Sequence, residues 1–565
     1  MSESKIKDSE KEKQLEQFRA YVEAAYSEIC PVVSEEVTSI EEWIPSADGA
    51  KLRTIIIRPK NAEGPLPTIV QRSCYYHTAD MLQTQGEVIA RHGFALVYQW
   101  CRGIGGSEGS WEPNIYDRAD GLSLMNWLQE QTWTANIGYV GASYLAMTGW
   151  IMADAVPEKV KTMYLTVYGT VRHTSAWREG LFRQDILTAW AKDNAGFPIE
   201  ADYIESAKFR PQCDVDVKLW GGKLDWYRDW ITHPSKADLY WAEGHWEMLR
   251  QIPSKLKIPV FVGEGWYDHH LGSMLEGYTS LSKEAAAHST FQIMAGNHGM
   301  RPAIPGQPKQ ENAAINEAKQ QAKWFYDILV KETLPKPSVQ YYLIGADEWR
   351  TYDEYPPKTK GEAQFYLNED RLANCAGKKA ERNYIYNPDD PVITHGAESL
   401  FRSWEHIGSL QQPNINWRPD VLSYVSDTIE NDLDIVGPIT AKLWVKSDAP
   451  DTCFTIKIME VFPDGTAWHI RSGITTLGWR NGATELQSYN GEAIELEIKC
   501  WDVAWRLQKG SKLRVDISSS NFPEYSVHPN TTTLWSMAKE VRIANQTIIS
   551  GEEYPSRIIL PLDKR

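Results

Sequence analysis

A chain of 565 residues with 42% hydrophobic residues, 24% charged residues and 24 tryptophans has the composition of a large globular protein, with length for about three or four domains. Its formal net charge of −16 argues against a nucleic-acid partner, because contact with a phosphate backbone needs a basic stripe to displace counterions, and none is visible. No apolar run approaches the roughly 18 residues needed to cross a bilayer, and the seven cysteines are widely spaced with no CxxC pair, so neither a membrane span, a zinc site nor a disulfide framework is expected.

Residues 1–35 are densely charged and lack the apolar core of a secretory signal, while Leu15, Phe18, Val22 and Ala25 recur at helical spacing. The reading is an N-terminal amphipathic helix that docks on the body or on a partner, in a cytoplasmic protein with reduced thiols. From Glu36 a strand, a turn at Asp48-Gly49 and a second strand, LRTIIIRP, open an antiparallel edge. Short apolar runs then alternate with helical stretches such as 116–131 and 144–156, the βαβ signature of a parallel sheet. Between 170 and 248 the alternation stops, and Trp177, Trp190, Trp220, Trp226, Trp230, Trp241 and Trp246 are scattered among charged residues. This segment reads as a helical cap inserted in the sheet domain, its tryptophans walling a pocket beneath it. The strand pattern resumes with IPVFVGEGWYD and STFQIMAGNHG, so 36–169 and 249–355 form one α/β domain. Residues 356–565 change texture to short strands separated by turns such as PDG and QKG, which predicts a second, all-β sandwich domain.

The segment Ile137-Gly-Tyr-Val-Gly141-Ala-Ser143-Tyr-Leu-Ala is an apolar strand running through Gly-x-Ser into a helix. A nucleophile elbow needs small residues beside the serine, so that its Oγ stands clear of the sheet and the next N–H points at a developing oxyanion. Serine at its ordinary pKa is a poor nucleophile and requires a histidine base oriented by a carboxylate. Asp268 and His298 each end a predicted strand, in the order Ser, acid, His. Asp268 alone could equally cap a loop, and the pair His269 and His270 could suggest a metal, but no further acid or cysteine accompanies them at familiar ligand spacing, so no metal is assigned.

Through these motifs the chain resembles the cocaine esterase and X-Pro dipeptidyl-peptidase group of α/β-hydrolases over nearly its whole length from residue 36. The group's Gly-x-Ser-Tyr-x-Gly elbow is matched by Gly141, Ser143 and Tyr144, with Ala146 in place of the last glycine. Its Arg-Gly-x-x-x-Ser-x-Gly loop is matched by Arg102, Gly103, Ser107 and Gly109, and its Gly-Trp-Tyr-Asp motif by Gly265 to Asp268. The resemblance implies an α/β-hydrolase domain with a cap, a C-terminal jelly-roll domain and a serine hydrolase of the carboxylesterase or amidase type. It also implies an oxyanion hole in which a tyrosine hydroxyl after the first parallel strand joins the N–H of Tyr144. Tyr75 is placed there, with Tyr76 as its competitor.

The expected reaction is cleavage of a small ester or amide through an acyl-enzyme on Ser143, with Asp268 and His298 completing the triad and no cofactor. Trp177, Trp266 and His270 are the expected pocket residues. Relatives that hydrolyse α-amino acid esters keep acids two and three positions beyond the triad aspartate, where this chain has His270 and Leu271. The group's dipeptidyl-peptidases carry an added N-terminal domain that this chain is expected to lack, which makes an Xaa-Pro specificity the second choice. An Xaa-Pro dipeptidyl-peptidase or a β-lactam-type acylase is the alternative, and a catalytically silent binding protein is the reading from another class. Association into a homo-oligomer is left open.

Overall fold

The computed structural model describes residues 3–396, 398 and 406–563. Its first sheet has ten strands: β1 (Val37–Pro45), β2 (Lys51–Pro59), β3 (Leu66–Ser73), β4 (Ala95–Trp100), β5 (Thr134–Ala142), β6 (Val160–Thr166), β7 (Val260–Tyr267), β8 (Thr290–Asn297), β9 (Ser338–Leu343) and β10 (Glu348–Tyr352). They lie in the order β1-β2-β4-β3-β5-β6-β7-β8-β9-β10. The strands from β4 through β9 run parallel, and antiparallel pairs close both edges. Every residue of β4, β7 and β8 is buried, as expected of strands covered by helices on both faces, which explains their continuous apolar runs.

Helix α1 (Glu3–Ser27) lies on α2 (Ala79–Arg91), burying Val22, Ala25 and Tyr26. Helices α3 (Asp117–Glu130) and α4 (Tyr144–Trp150) follow β4 and β5. No described helix is long and apolar enough to cross a membrane.

Between β6 and β7 the chain forms α5 (Arg172–Ala176), a two-stranded hairpin (Trp177–Arg178 with Leu181–Phe182), α6 (Gln184–Asp193) and further short helices including Asp225–Thr232. The helix Gly244–Lys255 carries this layer past residue 248, almost to β7. Most of the tryptophans singled out here serve its internal packing: Trp220 lies against Tyr227, Trp226 against Trp230, and Trp241 against Trp246.

The C-terminal sheet has eleven strands. Its first, Thr359–Asn368, pairs antiparallel with its last, Arg557–Asp563, and the long strand Leu433–Ser447 pairs with Ile494–Leu507. This all-β domain grips the cap through buried charge. Arg183, just before α6, meets Glu398 and Glu524 at 3.3 Å each, and Arg471 meets Glu398 at 2.8 Å. Deleting one member of such a set would strand a desolvated charge and cost about 3–5 kcal/mol.

Candidate active site

The carboxyl ends of β5, β7 and β8 lie side by side across the sheet, with β6 between the first two, and each delivers one polar side chain. Ser143 sits in the turn from β5 to α4 with φ 56° and ψ −129°, a conformation that L-residues rarely adopt. Its backbone N–H donates to the carbonyl of Thr166 on β6, anchoring the strained turn. Gly141 is dictated by space: a Cβ there would stand 2.2 Å from the Leu145 carbonyl oxygen. The turn therefore folds back on itself only because residue 141 has no side chain.

The Ser143 hydroxyl is 2.8 Å from His298 Nε2, and His298 Nδ1 is 2.6 Å from Asp268 Oδ2. Asp268 is fully buried, and its Oδ1 accepts the backbone N–H of His270 at 2.6 Å. With the carboxylate accepting from Nδ1, the tautomer leaves Nε2 as the acceptor facing Ser143. Glu264, fully buried four residues before Asp268, is pushed well above the usual carboxylate range by desolvation first and the Asp268 charge second. Donor atoms of Asp268, His269 and His298 lie within 4.8 Å of one another. The 2.6 Å hydrogen bond along one edge is shorter than the separation of about 3.3 Å that two ligands on a tetrahedral ion require at bond lengths of about 2.0 Å.

Tyr75 reaches the same cavity from the end of β3. Its hydroxyl accepts Trp190 Nε1–H at 3.1 Å, and burial raises its pKa well above the ordinary phenol value, so it remains a protonated donor. Tyr76 turns away, half exposed, with its ring against Trp100. Tyr144 is the first residue of α4, so its N–H has no acceptor within the helix. The Tyr144 phenol donates to Asp117 at 2.7 Å and accepts the Asn114 N–H at 2.8 Å, locking the elbow to the loop before α3.

That loop is a brace. Arg102 pairs with Asp48 and Asp120 at 2.7 Å each, and the Ser107 hydroxyl donates to the Trp100 carbonyl. A Cβ at Gly109, whose φ is +82°, would press to 2.9 Å from Arg102 Cγ. These motif residues support the strand ends rather than line the cavity.

The cavity over Ser143 has a volume of about 420 Å³. Tyr75, Ser143, Tyr144, Tyr168, His298, His270 and His269 line it from the sheet domain, and Trp190, Trp230, Leu187, Ile186 and Arg172 from the cap. His269 and His270 are both held neutral, mainly by burial, with the charges of His298, Arg172 and Arg183 adding to the effect. His270 Nδ1 is 2.8 Å from the Ser175 hydroxyl.

Two of the expected pocket residues lie elsewhere. Trp177 is one layer back: it packs on Phe182 and donates its indole N–H to the Trp230 carbonyl, supporting the wall without forming it. Trp266 lies within β7, donates to the Tyr342 carbonyl and packs edge-on against Tyr341 of β9. Their places are taken by Trp190 and Trp230, and by Arg172, Tyr168 and His269, which no motif announces. The only sequence signal was the tryptophan density of the cap, which does not say which rings face inward.

Comparison with known proteins matches residues 48–300 to the family described as X-Pro dipeptidyl-peptidase (S15 family). Residues 333–559 match the X-Pro dipeptidyl-peptidase C-terminal non-catalytic domain. The chain is 27% identical to the cocaine esterase of Rhodococcus sp. (strain MB1 Bresler) over 571 aligned positions, covering 92% of this chain and 98% of that one. Among solved structures it is similar to an aminopeptidase from a marine sediment Thaumarchaeota archaeon, with TM-score 0.79, 22% identity and 93% and 96% of the two chains covered. An α-amino acid ester hydrolase superposes with TM-score 0.77 at 19% identity, covering 94% and 98%.

Proposed function

We infer the reaction from family membership: the chain carries the S15 catalytic domain and its C-terminal partner in order, and is a serine hydrolase of the cocaine esterase and X-Pro dipeptidyl-peptidase group. Within that class, which acts on esters or peptides, the proposed substrate is a small carboxylic ester or amide. The observation that carries this reading is the hydrogen-bonded line Ser143, His298, Asp268 opening into a cavity lined mainly by aromatic and aliphatic side chains.

Ser143 Oγ attacks the carbonyl carbon as His298 Nε2 takes its proton, and Asp268 stabilises the imidazolium that forms. The Tyr75 hydroxyl and the Tyr144 N–H hold the oxyanion, which appears only as the tetrahedral centre forms. Collapse of that centre breaks the ester or amide bond, with His298 returning its proton to the leaving group. Water, activated by the same histidine, then hydrolyses the acyl-enzyme.

An α-amino ester or a free peptide N-terminus is disfavoured, because no acid is among the described residues lining the cavity to meet an ammonium group. The test is a panel of p-nitrophenyl esters, anilides and Xaa-Pro amides. Rapid ester hydrolysis with a p-nitrophenol burst is expected. Cleavage confined to Xaa-Pro amides would replace this reading with the dipeptidyl-peptidase one, and inertness of folded protein toward all three would favour a silent binding protein.

A further inference from the structure

Seven arginines are buried among the described residues: Arg72, Arg102, Arg172, Arg183, Arg350, Arg471 and Arg514. Six have a carboxylate within reach. The distances are 3.3 Å from Arg72 to Asp117, 2.7 Å from Arg102 to Asp120, 3.3 Å from Arg183 to Glu524, 2.7 Å from Arg350 to Asp563, 2.8 Å from Arg471 to Glu398 and 2.6 Å from Arg514 to Asp516. Arg172 is the exception. It is 7% exposed, no described carboxylate lies within ion-pair distance, and its Nε is buried without a hydrogen-bond partner.

Burying a guanidinium without a counter-charge is costly, so an unpaired one in a folded interior asks what neutralises it. Arg172 heads α5 and lines the cavity over Ser143, where it is the one permanently charged side chain among the described lining residues. Its guanidinium carbon stands 4.6 Å from the centroid of the Trp230 ring and 6.0 Å from that of Trp246. Contact with an aromatic face fixes the plane of the guanidinium and leaves its N–H edge for an in-plane acceptor. The neighbouring Tyr168 phenol, also on the cavity wall, interacts with Arg172 and stays protonated through burial, which offers a second donor. His269 and His270 are neutral, so the positive potential of the cavity is concentrated at Arg172.

We propose that Arg172 selects the substrate: the scissile ester or amide belongs to a molecule bearing a second, ionised carboxylate, which pairs with this guanidinium while Ser143 attacks. The proposal rests on the Ser143 reading above and adds the charge of the substrate to it. A planar carboxylate matches the two-donor edge of an arginine and, in a desolvated cavity, gains a charge-assisted contact that a neutral isostere cannot make. The carboxylate can sit on the acyl part or on the leaving group, and one experiment separates the two.

In the acyl arm, kcat/KM is measured for mono-p-nitrophenyl glutarate against p-nitrophenyl valerate. In the leaving-group arm, 3-acetoxybenzoate is compared with 3-acetoxybenzamide. The wild-type enzyme should favour the charged member of one pair by about 10- to 100-fold, mainly through KM. Arg172→Met should abolish that ratio, while Arg172→Lys keeps part of it. Fluorophosphonate labelling of Ser143 reports that each variant is folded. Should Arg172→Met fail to label, inhibition of the wild type decides, with glutarate expected to bind at least tenfold more tightly than glutaramide. Equal rates within both pairs, or a charge preference that survives Arg172→Met, overturns the role of Arg172 and leaves the triad standing. If the wild type is silent toward all four esters and the probe, the Ser143 reading falls, and this inference falls with it.

Discussion

Replacing Tyr75 by phenylalanine removes one oxygen atom and nothing else from the wall beside Ser143. The Tyr75 hydroxyl already accepts Trp190 Nε1–H at 3.1 Å, which leaves its own O–H to donate. Losing one oxyanion donor costs about 10²- to 10³-fold in kcat, or about 2.7–4 kcal/mol of transition-state stabilisation. KM should move by only a few-fold, because the ground-state carbonyl is a weaker acceptor than the oxyanion. The substitution also leaves the partly buried Trp190 N–H without its partner, a cost of up to about 1 kcal/mol that belongs to folding and is read separately by thermal unfolding. The assay is steady-state and burst-phase hydrolysis of a p-nitrophenyl ester, with Tyr76→Phe as the control. Tyr76 is 51% exposed and turned away from the cavity, so its variant should match the wild type. A Tyr75→Phe enzyme with kcat within threefold of wild type, or a Tyr76→Phe enzyme that carries the loss instead, would refute the reasoning.

Gly141→Ala should lower turnover by about 10²-fold or more, because its Cβ would meet the Leu145 carbonyl at 2.2 Å and the displaced turn would pull Ser143 from His298. Overpacking should also destabilise the fold by about 1–3 kcal/mol, and kinetics unchanged beside a normal melting temperature would contradict this. Asp268→Asn should lower kcat on the order of 10⁴-fold, the cost known for the equivalent change in a serine protease, since an amide in place of the carboxylate favours the wrong imidazole tautomer; near-normal turnover would place the acid elsewhere. The His173 imidazole, 3.0 Å from the Pro234 carbonyl, is pushed down to about 4 by burial from an ordinary 6.5. The unfolded chain therefore takes up a proton below pH 6.5 that the folded chain refuses. This contribution to stability is whole above pH 6.5 and is lost as pH falls toward 4, by about 1.4 kcal/mol per pH unit. His173→Gln should flatten the acid limb of urea-unfolding stability by about 2 kcal/mol between pH 7.5 and 5, and parallel curves would contradict the assignment.

Ser143, Asp268 and His298 were legible because each stands at the end of an apolar run, where a parallel sheet collects its functional groups, and because their order restricts the chemistry. Tyr75 was legible only through the family resemblance, since a tyrosine after a strand carries no signal of its own. The cap was harder. Trp190, Trp230 and Arg172 come from three separate short helices, and what brings them to one cavity is the docking of the cap against the sheet and the C-terminal domain, which leaves no periodicity in the sequence. Trp266 misled for a related reason: it belongs to the Gly-Trp-Tyr-Asp motif, but it lies within the strand, where β9 covers its ring, whereas Asp268 has just left the strand. Arg172 drew no notice because one arginine in a charged segment reads as solvated. Its meaning comes only from its burial without an acid, which is a property of the folded molecule.

The most direct test of the account is covalent labelling by a fluorophosphonate probe, followed by mass spectrometry of the modified peptide. The account predicts one adduct on Ser143 in the wild type, no adduct in folded Ser143→Ala, and labelling slowed by orders of magnitude in His298→Ala, because the serine loses its base. An adduct on another residue, or labelling of wild type and Ser143→Ala at equal rates, would contradict it.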